Sequence, residues 1–408
     1  MIEITIIMLS LIEIYAWIAY RDLKCPAVLH NVMWIVALLF SGQFIEKQDL
    51  NILAFFIIIV GAILFQIAFK LSLKITIHKS KRISNTRIIL KKNVIKILII
   101  VIIVIALPVI YQYIRYLKGG NESWYMMLTL SEESLQLPSL FNYFRKIVQL
   151  ISIAILICYW LGDIEKISDV RKYVIILNII AILSVISVPT RNSILFYLLP
   201  IVMAYFATHN ISNKRILVIG IGTISIFMLS FFIISMGKYW YIYEKSTSSY
   251  KVMVDEVLTY LSGGVAAFVR GIVNHSYQYT GGNTFRFIQA VGDRIFGTSN
   301  AIELVKEFTV LKNGVTTNVY TFYDFYIRDF GWFYAIIAQF LVGCLHGISY
   351  KGMKRKNPIQ IYYYALLCYP LVMQFFQDQY VSLLSTWIQI SVVGICVYKT
   401  SLFLKKEK

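Results

Sequence analysis

The chain has 408 residues, 58% of them hydrophobic and 15% charged, with a mean hydropathy of +0.69. A soluble chain carries about a quarter charged residues, so the composition excludes a string of soluble domains and places the chain in a bilayer. Its 39 Lys and Arg against 21 Asp and Glu give a formal charge of +18, which in a soluble protein points to a polyanion and in a membrane protein can report orientation alone.

Apolar runs of about 20 residues, enough for a helix to cross about 30 Å of hydrocarbon, fall at 2–20, 27–43, 50–72, 94–114, 143–161, 172–189, 193–208, 215–236, 330–350, 359–377 and 380–402. The expectation is an all-α polytopic membrane protein of about eleven transmembrane helices, one integral-membrane domain over 1–408. The first run is no cleavable signal, because it lacks a basic n-region and carries Glu3 and Glu13. Glu13 is an intramembrane carboxylate, which a hydrogen bond to a neighbouring helix equally explains.

The connecting segments alternate in charge. One face collects Arg21 and Lys24 with Asp22, the stretch from Lys70 to Lys96, Asp163 to Lys172, Lys214 and Arg215, Lys351 to Lys356, and the tail from Lys399. These hold 24 basic residues against five acidic ones, a net of +19, which leaves 15 basic against 16 acidic elsewhere. By the positive-inside rule this face is cytoplasmic and the N-terminus lies outside. The basic loops then serve orientation and contact with anionic lipid, and no nucleic-acid role is expected.

Two outside segments exceed simple turns, 115–142 and 237–329. The second is where extracytoplasmic chemistry belongs. Within it, 257–273 is apolar but interrupted by Gly263, Gly264, Arg270 and Gly271, which predicts a re-entrant or interfacial helix. Residues 285–296 carry apolar side chains at helical spacing, with Arg286, Asp293 and Arg294 elsewhere on the wheel, and predict a helix lying on the membrane. Only the C-terminal half carries such a loop and no internal repeat is evident, which weighs against a transporter.

The signatures of common soluble enzymes are missing, and so is a paired DxD for a nucleotide-sugar metal. The five cysteines (Cys25, Cys158, Cys344, Cys368, Cys396) form no CxxC pair, and five scattered histidines make a multi-histidine metal site improbable. No metal or other cofactor is expected. What remains is a set of outside arginines. Arg191, in VPTRNS between the sixth and seventh runs, is a cation confined between two membrane helices, which suits either a lipid headgroup or an anion clamp. Arg270, Arg286, Arg294 and Arg328 follow in the large loop; guanidinium groups bind phosphate in two-point fashion and stay charged, as a metal-free diphosphate site requires. His275 is a candidate general base, and Asp324, Asp329 and Glu256 compete for that role. Lys238, Tyr239, Tyr241 and Tyr243 read first as an interfacial belt and second as a stacking surface for sugar rings.

The segment TNVYTFYDFYIRDFGWFYAIIAQFLVG from Thr317 to Gly343 resembles one found in the bacterial polymerases of oligosaccharide repeat units, the O-antigen and capsule polymerases known as Wzy. The resemblance is carried by Asn318, Val319, Tyr320, Thr321 and Phe322, then Asp329, Phe330 and Gly331, then Gly343, supported by TYLSGGVAAF (259–268), GGNTFRF (281–287) and the position of Arg191. It covers roughly the second half of the chain.

It implies a GT-C-like membrane glycosyltransferase at the periplasmic face of the bacterial inner membrane. Such an enzyme transfers a growing glycan from its undecaprenyl diphosphate carrier to the sugar hydroxyl of a new lipid-linked repeat unit. In that reading Arg191, Arg270, Arg286, Arg294 and Arg328 hold donor or acceptor phosphates, and His275 or Asp324 orients or deprotonates the acceptor hydroxyl. A chain-length regulator is a candidate partner. The alternatives are an O-antigen ligase-like transferase of similar chemistry, or a lipid-linked oligosaccharide flippase, for which two similar halves and short loops would be expected.

Overall fold

A computed structural model describes residues 1–46, 50–75, 86–90, 92–104, 139–162, 164–186, 190–242, 249–274, 281–302, 306–400 and 402–406. In chain order these form α1 (Ile2–Tyr20), α2 (Pro26–Ser41), α3 (Ile52–Lys74), β1 (Thr86–Leu90), α4 (92–104), α5 (Ser139–Leu161), α6 (Ile164–Ile186), α7 (Arg191–Thr208), α8 (Asn213–Ile242), α9 (Ser249–Asn274), α10 (Arg286–Phe296), β2 (Thr309–Val310), β3 (Thr316–Thr317), α11 (Phe322–Phe330), α12 (Trp332–Lys354), α13 (Pro358–Val372), α14 (Leu384–Thr400) and β4 (Leu402–Lys406).

The chain is a predominantly helical polytopic membrane protein. Among the described residues, six helices are long and apolar enough to cross a membrane: Ile2–Tyr20, Ile52–Lys74, Tyr143–Leu161, Arg191–Thr208, Asn213–Ile234 and Trp332–Lys354. Pro26–Ser41 and Leu384–Tyr398 are apolar but shorter. The expected count of eleven goes beyond these six, partly because the run at 94–114 leaves the described residues after 104.

The two runs expected at 359–377 and 380–402 are also shorter as helices. The helix α13 ends at Val372, a single 3-10 turn follows at Met373–Phe375, and α14 starts at Leu384. The backbone freed between them finds internal partners, as it must away from water. The carboxylate of Asp378, fully buried, accepts the N–H groups of Tyr380 (3.2 Å), Val381 (3.0 Å) and Ser382 (2.8 Å) and the Tyr326 hydroxyl (3.3 Å).

The chain divides into two compact units. The first comprises 1–77, 254–352 and 367–387. In it α1, α2 and α3 pack on one another, and α12 lies against α3. A Cβ at Gly343 would stand 2.6 Å from the Phe65 carbonyl oxygen and 2.9 Å from the Ala68 Cβ, and one at Gly347 would stand 2.7 Å from the Phe69 carbonyl oxygen. Glycine spaced by four is what permits this approach of two membrane helices.

At one end of this pair Lys351 Nζ donates to the carbonyls of Leu73 (2.5 Å) and Ile75 (2.7 Å), and the Tyr350 hydroxyl donates to Asp22 (2.7 Å). Three segments grouped on one face by their charge therefore meet.

Inside the unit a polar chain crosses the apolar interior. His30 Nδ1 donates to Asn31 Oδ1 at 2.8 Å, which leaves Nε2 to accept the Gln339 amide at 2.7 Å. Gln339 also donates to Gln374 Oε1 at 3.2 Å, and Gln374 donates to the Tyr380 hydroxyl at 3.4 Å, itself 2.8 Å from His346 Nε2. Gln339, Gln374, Tyr380 and both histidines are buried. Pairing is the condition for keeping such groups among apolar side chains, and here it fixes the broken stretch after α13.

The second unit comprises 78–253, 353–366 and 388–408. The helices α5, α6 and α7 pack mutually and α8 packs on α7. Ser152 of α5 joins Asn178 of α6 (3.0 Å) and Tyr197 of α7 (2.9 Å). Lys356 Nζ donates to the carbonyls of Ala207 (2.7 Å) and Thr208 (3.1 Å), satisfying acceptors at the C-terminus of α7. The strands β1 and β4 pair antiparallel.

Candidate functional site

The large loop is not a detached domain. Its helices α9 and α11 are built into the core of the first unit. The helix α9 runs unbroken through the glycines expected to interrupt it, and Gly263 and Gly264 are both fully or nearly buried. A Cβ at Gly264 would stand 2.8 Å from the Phe375 carbonyl oxygen, so glycine there lets α9 press on the broken stretch after α13. From α11, Tyr323 inserts its ring between Trp34 (5.4 Å) and Phe268 (6.0 Å).

The sequence patches that carry the family resemblance come together in this unit. Asp329, near the end of α11 and 1% exposed, accepts the Asn283 N–H at 3.0 Å, the Asn283 side-chain amide at 2.8 Å and the Thr284 N–H at 2.6 Å. The patch at 281–287 is thus clamped to the Asp-Phe-Gly patch, and Phe285 meets Phe330 edge-on at 6.2 Å. Asp329 is committed to three donors in this arrangement.

Beside the clamp lies a four-membered ion cluster. Asp324 Oδ2 receives Lys306 Nζ at 2.5 Å and Arg328 Nε at 2.7 Å, and Arg328 Nη1 pairs with Glu307 at 2.7 Å. The i, i+4 spacing of Asp324 and Arg328 on α11 brings them to one face, with the acid in the first turn and the base in the last, as the helix dipole favours. Lys306 lies 3.6 Å from the Phe325 ring centre and Arg328 lies 4.8 Å from that of Tyr320. The Tyr320 hydroxyl contacts Thr309 Oγ1 at 2.5 Å, and Arg270 donates to the carbonyl of Val310 on the same hairpin.

Burial alone would raise the Asp324 pKa, but the charges of Lys306 and Arg328 and their hydrogen bonds outweigh it and hold the carboxyl below its usual range. Asp324 is therefore a weak proton acceptor and a strong orienter of two cations. The cluster sums to zero charge, yet it leaves Arg328 Nη2 buried and without a hydrogen-bond partner among the described residues. That N–H₂ group is a donor still to be used.

The remaining candidates are spread more widely. Arg286 donates to the Ile302 carbonyl at 2.9 Å, and Arg294 is exposed in the last turn of α10. Glu13 Oε2 and Asn31 Nδ2 are both buried without a hydrogen-bond partner among the described residues. His275 and Tyr243, and the side chains of Lys238, Tyr239 and Tyr241, lie outside the described residues.

Arg191 belongs to the second unit. It is the first residue of α7, after the Thr190 cap that accepts the Ser193 N–H at 3.2 Å, and its guanidinium lies 3.9 Å from the Phe231 ring centre. A cation at a helix N-terminus adds to the positive end of the dipole, so an anion there is attracted twice.

Sequence reasoning missed Lys306 and Glu307, whose partners are distant in the chain, and Arg145 of α5, which is 6% exposed. Arg145 precedes Ser152 by seven residues and Arg191 precedes Tyr197 by six, about 10 Å along each helix. The linked pair Ser152 and Tyr197 thus sets both arginines near the same end of α5 and α7. Among the described residues no three His, Cys, Asp or Glu side chains converge as metal ligands would.

Compared with known proteins, the chain is 27% identical over 216 residues to a Shigella dysenteriae protein described as an O-antigen polymerase. The match covers 53% of this chain and 53% of that protein, so the chain spans about half the length of the relative it matches. No family model matches, and no solved structure matches.

Proposed function

We propose that the chain is a glycosyltransferase of the O-antigen polymerase kind, with a GT-C-like fold. It moves a growing glycan from undecaprenyl diphosphate to the sugar hydroxyl of a new lipid-linked repeat unit at the periplasmic face of a bacterial inner membrane. The observation that carries this reading is the similarity to the Shigella dysenteriae polymerase, joined to the packing of the resemblance-bearing patches around α11. The grouping of the basic segments supports an N-terminus outside and a C-terminus inside.

In the proposed reaction the acceptor hydroxyl attacks the anomeric carbon, the bond from that carbon to the diphosphate oxygen breaks, and the diphosphate leaves with the electron pair. Fixed cations stabilise the charge that develops on it. Arg191 holds donor diphosphate. Arg328 uses its unpartnered Nη2 on a phosphate or sugar oxygen, with Asp324 and Lys306 fixing its orientation. Arg270, Arg286 and Arg294 supply further positive charge for donor or acceptor phosphates. His275 takes the hydroxyl proton. The whole chain, 1–408, is one membrane domain whose 237–329 segment faces the periplasm, and a chain-length regulator is a candidate partner.

The test compares lipid-linked glycan length in cells producing Arg191→Ala or Arg328→Lys at wild-type protein level. The reading expects loss of long glycan in both, since lysine cannot replace a fork that holds two carboxylates and a third group. Unchanged length in both removes these arginines from the reaction.

A further inference from the structure

The helix α10 shows an inverted pattern of burial. At 100° per residue, Ile288, Val291 and Ile295 fall on one arc and Arg286, Gln289, Ala290 and Asp293 on the opposite one, with Phe296 at the helix end between the two. The apolar arc is the open one, with Ile288 56%, Val291 42% and Ile295 70% exposed, and the terminal Phe296 is 79% exposed. The polar arc is partly covered, and the Gln289 Oε1 atom is buried.

The polar groups are taken up by the segment that follows the helix. Arg286 donates to the Ile302 carbonyl, and Asp293 accepts the Thr298 hydroxyl (2.5 Å) and the N–H groups of Asn300 (2.9 Å) and Ala301 (2.7 Å). A helix meeting water would bury the other face.

The height of α10 is also set. Its first turn is tied through Phe285 to Phe330, whose ring meets that of Tyr334 in the first turn of α12 at 5.8 Å and a tilt of 56°. Trp332, Phe333 and Tyr334 at the head of that candidate span are about half exposed, the arrangement of an aromatic girdle at a lipid headgroup boundary. Arg294, exposed at the edge of the apolar arc, suits an anionic headgroup.

We infer that α10 lies in the membrane interface with Ile288, Val291 and Ile295 directed into the acyl region, so that its occupant is the phospholipid leaflet and the Asp329 clamp is held at a fixed depth. The inference stands apart from the proposed reaction.

The test places an environment-sensitive fluorophore on single cysteines at Ile288→Cys, Ile295→Cys, Ala290→Cys and Asn300→Cys in the full chain, with Cys344 and Cys396 replaced by serine. The chain is reconstituted into phosphatidylethanolamine and phosphatidylglycerol vesicles containing an acyl-brominated phospholipid. Ile288, Ile295 and Asn300 are exposed and Ala290 is half-buried, so folding is expected to survive, and size-exclusion elution verifies it.

Quenching at 288 and 295 several-fold above that at 290 and 300 is the expected result. Equal, weak quenching at all four overturns the inference. So does shielding of 288 and 295 without quenching, accompanied by cross-linking between copies, which would make the face a contact with a second chain.

Discussion

Asp329→Asn isolates the clamp that joins the 281–287 patch to α11. Whichever way the new amide turns, only one of its two positions accepts a hydrogen bond. The better choice keeps the oxygen toward the two Asn283 donors and turns its NH₂ toward the Thr284 N–H, which now lies 2.6 Å from a carboxylate oxygen. One charge-assisted hydrogen bond is lost and a donor is left facing a donor in a site where residue 329 is 1% exposed. The cost is about 2–3 kcal/mol, or roughly a 30- to 150-fold rise in the open population of this segment. Hydrogen exchange of the full chain in detergent reads it directly, as exchange from a peptide spanning 281–287 faster by that factor while peptides within α12 are unchanged. Equal protection in the two proteins would refute the clamp.

Other outcomes follow from the same contacts. Removing one partner of the buried ion cluster, as in Asp324→Asn, should cost about 3–5 kcal/mol and lower the thermal midpoint in detergent, whereas the pair Lys306→Met with Asp324→Leu should cost less than the sum of its parts. The Asp324 carboxyl titrates below its unfolded value near ~3.9, so its contribution is complete above that pH and lost as pH falls through the lower folded value. The difference in midpoint between wild type and Asp324→Asn should therefore be constant from about pH 8 to 5 and shrink below about pH 4. Gly343→Leu should abolish monodisperse elution because α3 leaves no space for it, while Gly220→Ala, where a Cβ meets nothing within 4 Å, should elute as wild type.

The amphipathic pattern of α10 was legible because a 3.6-residue period survives in eleven residues without any knowledge of partners. The break between α13 and α14 was half legible. Hydropathy averaging carries the first span through Gln377 and leaves only Asp378 and Gln379 as a turn, since an averaged window does not see that Asp378 can satisfy backbone donors inside an apolar setting. Gly263 and Gly264 interrupt the apolar run in sequence but lie within one continuous helix. They weaken an isolated helix, but α9 gains more from close packing than it loses in propensity.

The site was legible as residue types and not as pairings. Asp329 and Asn283 are 46 residues apart, and Asp324 and Lys306 are 18 apart, so only tertiary structure reveals that one aspartate is a clamp and the other the centre of a salt cluster. Lys306 gave no signal in sequence, because a lone lysine in a long loop reads as solvated.

The central claim is a covalent one, and the most direct measurement incubates purified protein with a lipid-linked repeat unit as sole substrate and separates the products by size. Polymerase chemistry predicts a ladder spaced by one repeat unit with release of polyprenyl diphosphate, lost in Arg191→Ala. Substrate that stays unmodified until a second kind of acceptor is supplied would contradict the claim in favour of a ligase, and substrate that crosses the bilayer of a vesicle without covalent change would contradict it in favour of a flippase.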